Sequence, residues 1–231
     1  MDDRFSRSYL LLGEENLSKI KNKKVAIFGI GGVGSFVAEA LVRTGIENFL
    51  LVDNDKISIT NINRQIHCLE STIGLFKVDE MKKRILEINP NANVEISKEF
   101  YLPGSNLLEI SKLDYIVDAI DIVTAKIDLV EKAKNLNIPI ISALGTGNKL
   151  DPLKIEVADI YSTSVCPLAK VMRKELRARN ISNLKVIYSK EEPINVLAEK
   201  ENGRNVPGST IFVPSVAGIV IAKEVILDLI K

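Results

Sequence analysis

The chain contains little cysteine, little histidine and no tryptophan. Its 231 residues include two cysteines and one histidine. Cys68 and Cys166 are far apart in the sequence and belong to no Cys-x-x-Cys pair. A structural zinc site built from two such pairs is therefore excluded. Two isolated cysteines also provide no disulfide framework, so we expect a cytoplasmic protein.

An excess of charge of either sign is missing as well. The chain has 31 Lys and Arg residues against 30 Asp and Glu residues, a net charge of +1. Overall charge therefore does not indicate a nucleic-acid-binding protein, and any RNA site must come from local clusters. The opening Met-Asp-Asp-Arg is not the apolar run of a signal peptide. The apolar run 211–230 contains Lys223, Glu224 and Asp228, which predicts a core helix rather than a membrane span.

A glycine-rich segment lies between a short apolar strand, 25–28, and a helix pattern. It contains Gly29, Gly31 and Gly34, and Asp53 closes the next apolar run. In a βαβ unit of this type, the first glycine makes a tight turn and the second lets backbone N–H groups approach a phosphate. The third glycine allows close packing of helix and strand, and the acidic residue can hold a ribose hydroxyl. The pattern predicts a nucleotide-binding site.

Apolar strand-like runs alternate with helix patterns along the chain. Strands are predicted near 24–29, 48–53, 93–98, 114–118 and 138–143, and helices near 33–45, 77–88 and 124–137. Further strands are predicted near 155–160 and 184–189, with helices over 167–179 and 211–230. We predict an α/β fold with a doubly wound, mainly parallel, Rossmann-like sheet and a C-terminal strand and helix extension. Residues 1–231 are expected to form one domain, with a nucleotide-binding core over 1–150 and the extension over 151–231.

Polar and charged residues follow the glycine segment at positions that suit a triphosphate. They are Asn61, Arg64, Gln65, Lys77, Asp118 and Asp121. A dinucleotide needs little more than a glycine loop at a helix N-terminus, whereas a triphosphate with Mg²⁺ needs cationic side chains and a carboxylate. The set therefore favours ATP over NAD. The residues alone leave open that Arg64 is a surface charge and Lys77 an ordinary first-turn lysine. They also leave open that the two aspartates are turn and cap residues.

These residues resemble the motifs of an adenylating family that includes ubiquitin-activating enzymes and bacterial activators of sulfur-carrier proteins. The matching motifs are Gly29-Ile-Gly31-Gly32-Val-Gly34, Asp53-Asn-Asp55, Thr60-Asn61-Ile-Asn-Arg64-Gln65, Lys77 and Val117-Asp118-Ala-Ile-Asp121. The resemblance implies that ATP is bound by Gly29, Gly31, Gly32, Gly34, Asp53, Asp55, Asn61, Arg64, Gln65 and Lys77. It also implies phosphate contacts from Arg64 and Lys77, and Mg²⁺ on Asp121.

The N-terminal segment Arg4-Phe5-Ser6-Arg7 matches a further motif of that family. By this resemblance, Arg7 is expected to cross a homodimer interface and to stabilise charge on the phosphoryl centre, as in other phosphoryl-transfer sites. The catalytic set implied by the resemblance is then Arg7, Arg64, Lys77 and Asp121.

One branch of the family fits best, the bacterial tRNA threonylcarbamoyladenosine dehydratases. The strings Gly147-Asn148-Lys149-Leu-Asp151-Pro152 and Pro167-Leu-Ala-Lys170 resemble that branch. The resemblance implies an enzyme that uses ATP to activate the carboxylate of N6-threonylcarbamoyladenosine beside the anticodon and cyclises it with loss of water. It implies tRNA as a partner, together with a sulfur-transfer system containing a cysteine desulfurase, and no membrane. An acyl-adenylate intermediate is expected, and the sequence leaves a phosphorylated one open.

Two other functions stay open at the level of the sequence. A related enzyme would adenylate the C-terminal glycine of a ubiquitin-like sulfur-carrier protein, although the missing zinc cysteines count against it. The other alternative is a nicotinamide-dependent oxidoreductase or a nucleotide-sensing module, which only the glycine segment supports.

The predicted helix 167–179 carries a basic stripe. Lys170, Arg173, Lys174 and Arg177 follow i, i+3, i+4, i+7 spacing and share one helix face. The apolar residues Leu168, Val171, Met172 and Leu176 are expected to pack inward. Such a cationic ridge suits an RNA backbone and gives salt-sensitive binding without base specificity. The alternative is an ordinary solvated helix face.

The role of the single histidine is open. His67 follows the Arg64–Gln65 pair, where a general base would be close to the phosphates, but a structural role is favoured. A dyad with Cys68 is not expected, because adjacent residues rarely face one another. Cys166 is given no nucleophilic role. The polar segment 199–209 is predicted to be either a plain surface connection or a loop that orders around RNA.

Overall fold

The computed structural model describes residues 3–110, 112–195, 200–201, 204–205 and 207–231. Within them, seven strands form one sheet: β1 (Lys24–Phe28), β2 (Asn48–Val52), β3 (Asn93–Ser97), β4 (Tyr115–Asp118), β5 (Ile140–Ala143), β6 (Ile155–Asp159) and β7 (Lys185–Ser189). Two short strands, β8 (Lys200–Glu201) and β9 (Arg204–Asn205), pair only with each other.

Helices cover both faces of the sheet. They are α1 (Ser6–Lys21), α2 (Gly34–Thr44), α3 (Lys77–Ile88), α4 (Leu107–Ile110), α5 (Val123–Asn135), α6 (Pro167–Ala178) and α7 (Phe212–Ile230). In the described part of the chain, no helix combines the length and the apolar character needed to cross a membrane.

The sheet is doubly wound. Its strand order is β3-β2-β1-β4-β5-β7-β6, and neighbouring strands are parallel except for the antiparallel pair β6–β7. The chain runs from β1 outward to β3 and returns to the other side of β1 at β4. The carboxyl ends of β1 and β4 therefore flank the switch point, where open α/β sheets bind their ligands. This confirms the predicted fold class.

Both faces of the central strands are buried. Along β1, Val25 and Ile27 pack into the apolar cluster under α2, α3 and α7, whereas Ala26 and Phe28 pack under α5 and α6. A parallel strand covered on both sides has no solvent-facing positions. This explains why the sequence of β1 is continuously apolar after its first residue.

The predicted elements agree with the structure to within two residues at each end. Helices α1 and α4 are not among the predicted elements, and the backbone of α1 breaks at Gly13, where φ is +78°. The predicted loop 199–209 lies partly outside the described residues, because 199, 202, 203 and 206 are not among them. Its described part contains the short strands β8 and β9, which the prediction of a surface connection or an RNA-ordered loop did not include.

Helix α7 is held to the sheet and to α2. Tyr115 Oη and Lys185 Nζ both donate to Asp228 Oδ2, at 2.8 and 2.6 Å. Gly218 marks the closest approach to α2, since a Cβ placed on it would lie 2.5 Å from the Val33 carbonyl oxygen. Val33 directly precedes α2, so α7 supports the helix whose start follows the glycine segment.

Gly218→Ala is expected to destabilise the protein by about 1–3 kcal/mol, because the added methyl group overpacks the α2–α7 contact. Alanine is otherwise about 1 kcal/mol better than glycine in a helix, so packing must override helix propensity. Chemical denaturation measures the difference. Lys223→Ala, at an exposed site of the same helix, serves as the control and should change stability little. A Gly218→Ala protein as stable as the parent would contradict the close contact.

Candidate nucleotide-binding site

The glycine loop, residues 29–34, connects β1 to α2 at the switch point. Gly29 has φ +87°, and its N–H donates to the Val52 carbonyl at 2.8 Å. A Cβ on Gly29 would lie 2.6 Å from the Ala119 carbonyl oxygen, and one on Gly34 would lie 1.9 Å from the Gly29 oxygen. Neither position can hold a side chain, because backbone atoms already occupy the space.

The middle of the glycine loop is open. The nearest heavy atom to a Cβ placed on Gly31 would be Gln65 Nε2, 4.0 Å away. The Asp53 carboxylate fixes the loop by accepting the N–H of Ile30 at 2.7 Å and that of Asp55 at 2.8 Å. The loop therefore combines rigid ends with free space above Gly31, the arrangement that backbone binding of a phosphate requires.

The Asn-Arg-Gln cluster, by which we mean the predicted phosphate-contacting segment 61–65, lies next to the glycine loop. Arg64 Cγ would be 3.5 Å from a Cβ on Gly32. The Arg64 guanidinium donates to the Thr60 carbonyl at 2.7 Å and to Asn63 Oδ1 at 2.9 Å. Asn61 uses its side-chain oxygen to accept a backbone N–H in the same turn. The structure thus brings the predicted Arg64 and Gln65 to the loop, with Arg64 half-buried beside it.

Lys77 is buried at the start of α3. Its Nζ donates to Asp55 Oδ2 at 2.7 Å, and the Asp55 side chain is 59% exposed. Burial raises the pKa of Asp53, and the Lys77 charge opposes that rise. A buried ammonium whose partner is exposed to solvent can exchange that partner for another anion, so Lys77 is a candidate for contact with a phosphate.

His67 and Cys68 contact each other, contrary to the expectation from their adjacency. Cys68 Sγ lies 3.7 Å from His67 Nε2, and both side chains are buried. Burial, with Lys77 and Arg84, lowers the pKa of His67 to about 4. Burial raises the pKa of the Cys68 thiol to about 11. At neutral pH both groups are uncharged, so the pair is not an activated thiolate, and a structural role for His67 fits better than a base.

Sequence reasoning missed the partner of Asp118. Asp118 is fully buried at the end of β4 and forms an ion pair with Lys126 of α5, also fully buried, at 2.9 Å. The signal was present, because Lys126 lies on the same helix stripe as the buried Leu129, Val130 and Ala133. Lysine within an apolar stripe indicates a buried charge that needs a partner.

Asp121 is the candidate magnesium ligand. It is exposed, and in the described part of the chain its side chain forms no hydrogen bond or ion pair. Across the same residues, no three His, Cys, Asp or Glu side chains come close enough to form a protein-only metal site. Mg²⁺ is usually held by one or two carboxylates together with substrate phosphates. A single uncommitted carboxylate at the mouth of the crevice fits that pattern.

Arg7 lies away from the glycine loop of its own chain. Arg4, one turn earlier, donates to Asn89 Oδ1 at 2.9 Å, and Asn89 follows the last residue of α3, at the opposite end of that helix from Lys77. Arg7 is exposed, and no hydrogen bond or ion pair joins it to another described residue. The structure therefore does not bring Arg7 to the other predicted site residues within one chain.

The segment 207–209 bridges the crevice. Asn63 Nδ2 donates to the Ser209 carbonyl at 2.9 Å, and the Gly208 N–H donates to Asn148 Oδ1 at 2.6 Å. Asn148 follows β5, whereas Asn63 belongs to the Asn-Arg-Gln cluster. The segment 147–149 and the Asn-Arg-Gln cluster are therefore both joined to the segment 207–209 and lie at the same end of the strands.

The basic stripe on α6 is partly committed to the protein itself. Lys170, Lys174 and Arg177 are exposed, but the Arg173 guanidinium donates to the Thr163 carbonyl at 3.1 Å and to the Thr163 hydroxyl. The prediction that Val171 packs inward is wrong, since it is 46% exposed. The buried face of α6 consists of Ala169, Met172 and Leu176.

The fold and this arrangement of residues define a nucleotide-binding α/β protein. The chain belongs to the ThiF family, whose model matches residues 5–227. The tRNA threonylcarbamoyladenosine dehydratase of Bacillus subtilis (strain 168) is 44% identical over 241 residues, which cover 98% of this chain and 94% of the relative. The dehydratase of the same name from Escherichia coli (strain K12) is 39% identical over 176 residues, 76% of this chain and 66% of the relative.

A solved structure shows the same similarity in three dimensions. The crystal structure of E. coli tRNA N6-threonylcarbamoyladenosine dehydratase, TcdA, in complex with ATP superposes with a TM-score of 0.89 at 32% identity. The match covers 98% of this chain and 93% of that one. The predicted family is thereby confirmed.

The buried histidine predicts how stability depends on pH. Because the pKa of His67 falls from 6.5 to about 4 on folding, the unfolded chain takes up a proton between these values and the folded chain does not. Stability is therefore lost as pH falls below 6.5, by about 2 kcal/mol at pH 5. His67 is the only histidine, so His67→Gln should remove most of this dependence. Denaturation of both proteins at pH 7 and pH 5 measures it, and equal pH dependence would contradict the assignment.

Proposed function

We propose that this protein uses ATP to activate the carboxylate of N6-threonylcarbamoyladenosine in tRNA and closes it into a ring with net loss of water. The observation that carries the proposal is the placement of Arg64, Gln65 and Lys77 around an open glycine loop at the switch point of the sheet. The dehydratase relatives and the E. coli structure in complex with ATP support the same function.

The activation step needs alignment more than acid–base chemistry. A carboxylate is already a competent nucleophile at neutral pH, so the protein must hold it in line with the α-phosphorus and offset charge repulsion. In our proposal, a carboxylate oxygen bonds to the α-phosphorus and pyrophosphate leaves, which gives an acyl-adenylate. Arg64 and Lys77 contact the phosphates, and Asp53 holds the ribose.

Mg²⁺ would be held by Asp121 and would neutralise charge on the leaving phosphates. Ring closure then joins an atom of the neighbouring ureido group to the activated carbonyl carbon, while the bond to the AMP oxygen breaks and a ureido N–H proton passes to solvent. The carboxylate oxygen that is lost leaves with AMP, so the modified nucleoside loses the elements of one water. Neither His67 nor Cys68 is needed, which agrees with their uncharged, buried state.

We further propose that Arg7 acts from the second copy of a homodimer. The exposed Leu10 and Leu11, 73% and 88% exposed, lie three and four residues after Arg7 on the same side of α1. Burial of these two leucines in a dimer interface would favour the contact that brings Arg7 to the nucleotide site of the second copy. The proposal places this dimer in the cytoplasm, with tRNA as substrate and a cysteine desulfurase system as a further partner.

Mass spectrometry of tRNA nucleosides tests the function. Incubation of modified tRNA with the protein, ATP and Mg²⁺ should reduce the mass of the nucleoside by one water and release AMP and pyrophosphate. Arg64→Ala and Asp121→Asn should lower turnover by about 10²–10³-fold without lowering the unfolding midpoint, because neither side chain is in the core. Arg43→Ala and Glu95→Gln carry the same charge changes at exposed sites away from the glycine loop.

An unchanged nucleoside mass would overturn the proposed function. Release of ADP and phosphate instead would overturn the acyl-adenylate. Full turnover in Arg64→Ala or Asp121→Asn would remove that residue from the site. Pyrophosphate exchange that depends on a sulfur-carrier protein rather than on tRNA would favour the other adenylating activity.

The exposed lysines of α6 are proposed to contact the tRNA backbone. Lys170→Ala combined with Lys174→Ala should weaken tRNA binding and reduce the slope of log K against log salt by about 1 to 2. Lys82→Ala combined with Lys83→Ala makes the same charge change on α3 and is the control. Filter binding at several salt concentrations measures both. Equal slopes for the two double variants would show that α6 is only a solvated helix.

A further inference from the structure

Lys126 is a buried lysine with a complete set of acceptors. Its side chain is 0% exposed. Its Nζ donates to Asp118 Oδ1 at 3.0 Å, to the Ile120 carbonyl at 3.0 Å and to the Ala143 carbonyl at 2.8 Å. An ammonium group has three donors, and each of them therefore has one acceptor.

The three acceptors belong to different parts of the crevice edge. Asp118 ends β4, Ala143 ends the adjacent β5, and Ile120 lies in the turn between β4 and α5. The Ile120 N–H is also held, because it donates to Asp118 Oδ1 at 3.2 Å. One side chain thus ties two strand ends and the following turn together.

Asp121 depends on this junction for its position. Among the described residues, no hydrogen bond or ion pair holds the Asp121 side chain. Its backbone, by contrast, directly follows the Ile120 carbonyl that Lys126 binds. On the other side, the Ala119 N–H donates to Phe28 at the end of β1, at 2.8 Å. The turn that carries Asp121 is therefore fixed between Lys126 and the glycine loop.

Apolar residues in place of both Lys126 and Asp118 would avoid the cost of burying two charges. Burying an ion pair loses the hydration of both charges, and well-packed apolar replacements are often equally stable. Fold stability alone therefore does not account for this pair, whereas directed donors to two specific carbonyls do fix geometry.

We propose that Lys126 is a positioning residue that holds the Asp121 turn against the glycine loop, so that the Asp121 carboxylate is aimed at Mg²⁺–ATP. This inference rests on the proposed function and adds a residue to its machinery that touches neither nucleotide nor metal.

Two charge-balanced double variants test it. Lys126→Met with Asp118→Asn removes the ammonium and leaves no unpaired buried charge, which avoids the main cost of breaking a buried ion pair. The half-saturating Mg²⁺ concentration for ATP binding should rise about 10- to 100-fold, as when the supports of metal ligands are removed. ATP binding without Mg²⁺ should change little. Amide exchange at Ala119 and Ile120 should become faster, and Lys126→Gln with Asp118→Asn, which keeps an N–H donor, should fall in between.

Lys134→Met, at an exposed site of the same helix, is the matched control and should leave all three measurements unchanged. A Lys126→Met, Asp118→Asn protein that regains the parental unfolding midpoint and also has the parental Mg²⁺ requirement would overturn the proposal, since Lys126 would then be structural only. If neither double variant folds, amide exchange of the unmodified protein is the test. Slow exchange at the Ala119 and Ile120 amides supports the junction, and fast exchange there overturns it.

None of these measurements uses tRNA. Turnover of modified tRNA by the parent tests the proposed function separately. If the unmodified protein binds ATP with Mg²⁺ but leaves the nucleoside unchanged, the proposed function is refuted. The role of Lys126 is then still tested by the Mg²⁺ dependence of ATP binding.

Discussion

The carboxyl ends of β1 and β4 meet backbone to backbone, and the rest of the site depends on this contact. The Gly29 backbone approaches the Ala119 carbonyl so closely that no Cβ fits between them. This contact sets the glycine loop of one half of the sheet against the Asp118–Asp121 turn of the other. The open backbone of the glycine loop and the Asp121 carboxylate, which come from segments far apart in sequence, thereby share one crevice. Arg64 and the segment 207–209 lie around this Gly29–Ala119 contact, where no side chain fits.

Two buried lysines serve this junction in different ways. Lys126 has three acceptors within the protein and no solvent contact, so its ammonium is satisfied without any ligand. Lys77 has one carboxylate partner, Asp55, which is mostly exposed. Desolvating a charge is costly unless its hydrogen bonds are replaced. Full replacement by protein acceptors and partial replacement by one exposed carboxylate have different consequences. The fully satisfied lysine fixes backbone, whereas the partly satisfied one keeps an affinity for incoming anions and also disfavours a proton on His67.

Most of the fold followed from the sequence because strand and helix periods alternate clearly and glycine, asparagine and proline mark the boundaries. The cluster around the glycine loop was also foreseeable, since Arg64 and Gln65 follow β2 at a fixed distance. Three features were not. The helix stripe of α5 indicates that Lys126 is buried and needs a partner, but its acceptors at the ends of β4 and β5 depend on the strand register, which no local pattern contains. The contact of Cys68 with His67 depends on an irregular turn. The hydrogen bond from Arg173 to the Thr163 carbonyl depends on the position of the loop before α6, which helix spacing does not indicate.

Both native thiols are buried and free, and for Cys68 burial also raises the pKa of the group to about 11. Alkylating reagents react with thiolates that they can reach, so neither cysteine is an easy target in the folded protein. A cysteine introduced on an exposed face, such as that of α6, can therefore be labelled selectively without first removing the native ones. Spectroscopic probes or crosslinkers placed in this way would report where an RNA lies on the surface.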